Sequence, residues 1–162
     1  MSPLRLSSTT QVQLRDFGWL HVRDFKILDP EVDLLAALLQ HTYDPDWLEE
    51  EGERTEVHGP FLREALAPCD YESISASDLC DQLRKHRDDE VFALPPEPEQ
   101  WEAVEVLLAS IPSEGASCYR LAVELSDEKR RHDLWHIFLL FHEYVVVEKE
   151  AVRVRQFVLG YD

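Results

Sequence analysis

Cys118-Tyr-Arg-Leu-Ala-Val-Glu-Leu125, Leu134-Trp-His-Ile-Phe-Leu-Leu-Phe-His-Glu-Tyr-Val-Val-Val147 and Val152-Arg-Val-Arg-Gln-Phe-Val-Leu159 are dense in β-branched and aromatic residues and parted by charged connectors. That pattern predicts an antiparallel meander. In the first segment Tyr119, Leu121, Val123 and Leu125 alternate with Cys118, Arg120, Ala122 and Glu124, the period-two signature of a half-buried strand. The third alternates at its start, Val152 and Val154 against Arg153 and Arg155. The middle segment is apolar on both parities: Trp135, Ile137, Leu139, Phe141 and Val145 on one, Phe138, Leu140, Tyr144 and Val146 on the other. A strand of that kind is central and covered on both sides. Its whole length would span roughly 43 Å at strand rise, so a bulge or bend is expected at its one polar break, His142-Glu143. The competing reading is a helix opening at Ser126-Asp-Glu, with Trp135, Phe138, Leu139 and His142 at helical spacing. The β-branched run Val145–Val147 favours the strand.

Working outward, Gln11–Leu14 and Trp19–Leu28, divided at Gly18, are strand material that joins the same sheet. Between the two ends lie helix signals. Asp29-Pro30-Glu31 combines a capping side chain, Pro at the first helical position and acid in the first turn, ahead of Leu34, Leu35, Leu38 and Leu39. Asp44-Pro45-Asp46 repeats the start, and His58-Gly59-Pro60 opens a short helix closed by Pro68. Tyr71–Ser77 is a loop or short strand. Ser75 or Ser77 caps a helix with Leu79 and Leu83 inward and cations at its C-terminus. Past the stiff Leu94–Pro98 connector, Trp101, Val104, Leu108 and Ile111 mark a helix stopped by Pro112. The expected fold is therefore one α+β domain over residues 1–162, an antiparallel sheet covered by four to five short helices from the middle of the chain.

The chain has 162 residues and a formal net charge of −17, and the charge is unevenly placed. Residues 1–28 carry four basic and two acidic groups; residues 29–116 carry five basic and twenty-three acidic; residues 117–162 are near balance. A field of that sign repels nucleic acid and anionic membrane and steers cationic partners. It also serves plain solubility. No segment approaches the ~20 apolar residues that cross a bilayer, and the first residues lack a secretory core. Cys69, Cys80 and Cys118 are scattered and odd in number, which fits reduced thiols. The expected setting is a bacterial cytoplasm.

Three chemistries are weighed. His132, His136, His142 and Glu143 invite a metal, but at strand rise His132 and His136 stand roughly 13 Å apart, and only a helix would bring them within one turn. Cys69-Asp70 with His58, or Cys80, would make a thiol nucleophile, without a supporting signature. No glycine-rich phosphate loop or nucleophile elbow occurs. No cofactor, metal site or catalytic residue is therefore assigned. The leading expectation is an acidic protein-binding module, most concretely an immunity-type inhibitor that neutralises a basic toxin. Its partner-binding residues are Asp46, Trp47, Glu49, Glu50, Glu51, Glu53 and Glu56, acids that hasten encounter beside an aromatic anchor. The alternatives are an enzyme or metal protein using His58, His132, His136 and His142 with nearby carboxylates, and an inhibitor that imitates nucleic acid.

Overall fold

A computed structural model describes residues 1–43, 56–88, 94–133 and 135–161. The C-terminal meander is present as β6 (Ser117–Leu121), β7 (Leu140–Glu148) and β8 (Arg153–Tyr161). The N-terminal hairpin, β1 (Leu4–Leu14) and β2 (Gly18–Ile27), joins it by pairing β2 with β8. A short β5 (Tyr71–Ile74) from the middle of the chain closes the other side. The result is a six-stranded antiparallel sheet in the order β1-β2-β8-β7-β6-β5, beside a two-stranded ribbon of β3 (Val57–His58) and β4 (Phe61–Leu62).

Both faces of the sheet's central strands are buried. On one, Trp19, Phe25, Phe141, Val145, Val154 and Val158 lie under the helix α1 (Leu34–Leu39), the ribbon and Phe138. On the other, Leu20, Val22, Tyr144, Val146, Phe157 and Leu159 lie under α2 (Ala76–Lys85) and α3 (Pro98–Ala109), which contribute Leu79, Leu83, Trp101, Val104 and Leu108. Double burial is why β7 is apolar on both parities.

Six expectations need correction. Residues 134–147 are not one bent strand: a 3-10 turn at Trp135–Ile137 precedes a strand that begins at Leu140. No bulge occurs at His142-Glu143, because the pairing with β8 runs unbroken from Leu140↔Tyr161 to Glu148↔Arg153. The described residues hold three α-helices rather than four to five. Asp33, not Asp29, caps α1, its Oδ1 accepting from the Leu35 and Ala36 amides at 3.0 and 3.1 Å, while Asp29 is spent on the Glu31 amide at 3.1 Å. The expected helix at His58 is instead the ribbon, since Gly59 turns the chain at φ +57°, and Pro68 opens a 3-10 turn rather than closing a helix. The Asp44-Pro45 start falls outside the described residues.

The apolar face under α3 carries one buried cation. Arg155 donates to Ser110 at the C-terminus of α3, to Oγ at 2.6 Å and to the carbonyl at 3.0 Å, and to Glu148 at 3.2 Å. A cation there complements the helix dipole and satisfies a terminal carbonyl. Arg155→Met is expected to cost about 1–3 kcal/mol, the usual range for charged hydrogen bonds, read as a lower urea midpoint. Glu148 stays paired with Arg153 at 2.9 Å, so the loss reports the link to α3.

Candidate functional site

Of the seven residues expected to bind a partner, Asp46, Trp47, Glu49, Glu50, Glu51 and Glu53 lie outside the described residues. Glu56 is described and exposed. The flanks of that segment are well defined. Tyr43 bridges to His58, and the Gly59 amide donates to the Tyr43 carbonyl at 2.8 Å. The described residues on either side of the acidic segment, Tyr43 and His58, are thus joined on the ribbon side of the sheet.

Beneath that anchor is a buried polar cluster that the sequence reading did not assemble. β7 places Glu143 on the ribbon-side face, at 1% exposure among apolar neighbours. Three donors converge on its carboxylate: His58 Nε2 from β3 at 2.5 Å, Tyr71 Oη from β5 at 2.6 Å and Gln156 Nε2 from β8 at 2.8 Å. The Gln156 Oε1 accepts from Arg23 Nε on β2 at 2.7 Å, and this fixes the amide orientation, since only one places N toward Glu143 and O toward Arg23. Arg23 also donates to the Thr42 carbonyl at 2.9 Å and stacks over Tyr43, 4.9 Å from the ring centre. The Tyr43 hydroxyl meets His21 Nδ1 at 2.8 Å. Buried polar groups are retained only when satisfied in this way.

The electrostatics follow from the contacts. Burial works against ionising Glu143, but the facing His58 imidazole and the hydrogen bonds from His58, Tyr71 and Gln156 outweigh it and hold the carboxyl below its ordinary range. Burial first, and the adjacent Glu143 charge second, push the Tyr71 phenol well above its usual value, so it remains a donor. With His58 Nε2 committed to Glu143, Nδ1 is buried without a hydrogen-bond partner among the described residues.

No family model matches the chain. No curated protein and no solved structure matches it either. The reading of the site therefore rests on its own geometry.

The other candidate residues are dispersed. His132 is buried and donates to the Gly59 carbonyl at 2.7 Å. His136 is exposed on the 3-10 turn. His142 lies on the opposite face of β7, stacked on His86 with centroids 4.0 Å apart. Among the described residues no cluster of His, Cys, Asp or Glu is gathered as a metal would require. Cys69 is exposed whereas His58 is sealed on Glu143, and Asp70 pairs with Arg130 at 2.6 Å, so the imagined thiol–base pair is not formed. No described helix is long and apolar enough to cross a membrane.

Chemically, a carboxylate on one imidazole nitrogen fixes the tautomer and orients the ring. Here the ring has no exposure. What the cluster does in this fold is join strands β2, β5, β7 and β8 to the ribbon, tying the cover layer to the sheet in one register.

Proposed function

We propose that the chain is a protein-binding module whose acidic surface docks a cationic partner, in its most concrete form an immunity-type inhibitor of a basic toxin. One observation carries this reading: many of the chain's arginines are paired internally while several of its acids are left to solvent. Arg15, Arg84, Arg120, Arg130, Arg131, Arg153 and Arg155 are each held on internal carboxylates. Exposed Glu31 and Glu64 on the ribbon side, and Asp78, Glu99 and Glu102 on the α2–α3 side, have no such pairing among the described residues. The described acids of the middle of the chain are therefore divided between two cover layers. The residues proposed to meet the partner remain Asp46, Trp47, Glu49, Glu50, Glu51, Glu53 and Glu56.

The test is stopped-flow association with a basic protein that co-purifies with the chain, as salt is raised from about 0.05 to about 0.5 M. Association is expected to slow at least tenfold, and reversal of Glu49, Glu50, Glu51 and Glu53 to Lys is expected to slow it further at low salt. A rate indifferent to both changes overturns the proposal. A second reading, acid–base chemistry at His58, is favoured only by its orientation on Glu143 and its open Nδ1. A His58→Gln variant that folds and still neutralises the partner removes it.

A further inference from the structure

The sheet has two edges, and they are built differently. β5 is four residues long, enclosed between a 3-10 turn and α2; short edges template poorly. β1 is eleven residues long. From Arg5 to Gln11 its side chains are exposed on both parities, and past Leu4, whose backbone meets Ser2 and His41, no hydrogen bond from the strand's outward backbone groups to another described residue is found up to Gln13. Edges are normally blunted by Pro, Lys or inward charge. β1 reads Leu-Arg-Leu-Ser-Ser-Thr-Thr-Gln-Val-Gln-Leu; its one charge, Arg5, and its one bulge lie before Ser8, and the stretch from Ser8 to Gln13 carries no Pro, no charge and no bulge. A single bulge separates Leu6 from Ser8, after which the ladder to β2 is regular through Leu14.

We propose that β1 is a self-association edge through which two copies of this chain pair antiparallel, β1 to β1, merging their six-stranded sheets into one. Charge selects a second copy as the occupant. In a chain of net charge −17, β1 carries Arg5 and no acid, so this edge brings two copies together with the least repulsion. A cationic partner is drawn instead to the acidic cover layers. Two-fold pairing over Ser8–Gln13 sets polar, β-compatible side chains opposite their own counterparts, an isologous contact. It leaves the α1–ribbon layer and the α2–α3 layer of each copy outward, and it does not depend on the docking reading.

Analytical ultracentrifugation of the full chain tests it. A dimer is expected whose dissociation constant falls as salt screens the like charges, opposite in sign to the docking of a cation. Successive strand amides point in opposite directions, so one of Thr9→Pro and Thr10→Pro removes an outward N–H and leaves the β1–β2 ladder intact. That variant is expected to fold and to weaken the dimer at least tenfold. Monomer at every concentration and salt, or an unchanged dissociation constant in the folded proline variant, overturns the proposal. Should both variants unfold, oxidation of Ser8→Cys, Thr9→Cys, Thr10→Cys, Gln11→Cys and Val12→Cys in a Cys69→Ser background decides. Cross-linking concentrated at one or two neighbouring positions supports the two-fold, and a flat profile refutes it.

Discussion

Glu143→Ala is expected to lower the unfolding free energy by about 3–5 kcal/mol, the range for removing one partner of a buried ion pair. The substitution leaves His58 Nε2, the Tyr71 hydroxyl and the Gln156 amide buried without their shared acceptor. It also ends the relay that lets Arg23 lie against Gln156. Glu143→Gln keeps the shape and an acceptor but puts an amide N–H among donors, so about 1–3 kcal/mol is expected. The pH dependence has a definite sign. The folded carboxyl lies below its ordinary value of 4.5, so its stabilisation is complete above that value and drains away as pH falls through the lower, folded one. Urea titrations from neutral pH down should show the wild type losing stability below about pH 4.5 more steeply than Glu143→Ala. A cost for Glu143→Ala under about 1 kcal/mol would show that the cluster does not bind the layers together.

Gly59→Ala is the second large effect. Residue 59 has φ +57°, which costs an L-residue about 1–2 kcal/mol. An added Cβ would stand 2.3 Å from Phe141 Cε2 and 2.6 Å from Cζ. That ring has little room to yield, since Phe61, Phe138 and Tyr43 pack against it with centroids 5.8, 5.6 and 6.1 Å away. Overpacking of this kind costs about 1–3 kcal/mol, so about 2–5 kcal/mol is expected in all. Because Gly59 also holds Tyr43 and His132 through its backbone, the ribbon should loosen before the sheet does. Phe141→Leu makes room, and the double variant should lose less than the sum of the single ones. A Gly59→Ala protein within about 0.5 kcal/mol of wild type would mean that the ribbon is not seated on Phe141.

The sheet was legible because its signals are local. Runs such as Val145–Val147 and the both-sided apolarity of β7 name a central strand without knowledge of its neighbours, and the hairpin divided at Gly18 follows from the same pattern. Helix starts were less secure. Asp29 and Asp33 are equally able to cap, and only the local Asp29–Glu31 hydrogen bond settles which one does. Pro60 after Gly59 resembles a helix start until the positive φ is seen. The buried cluster was nearly invisible. Its one signal was Glu143 within an apolar strand, which invited a break in the ladder. A carboxylate buried there demands donors, and those donors come from β3, β5 and β8, segments whose convergence no local pattern encodes. The acidic residues 44–53 were plain in the sequence, whereas the division of the described acids between two layers appears only in the fold.

The pairing of β2 with β8 has a consequence for synthesis. Residues 18–27 emerge early, yet the neighbour that shields Trp19, Val22 and Phe25 is translated only after residue 152. Contacts so distant in sequence make assembly slow, and a nascent hairpin must wait with its apolar side chains uncovered. The strongly charged stretch made during that interval keeps the unfinished polypeptide dispersed. Stalling translation before β8 should therefore yield a chain that seeks chaperones rather than one that is partly native.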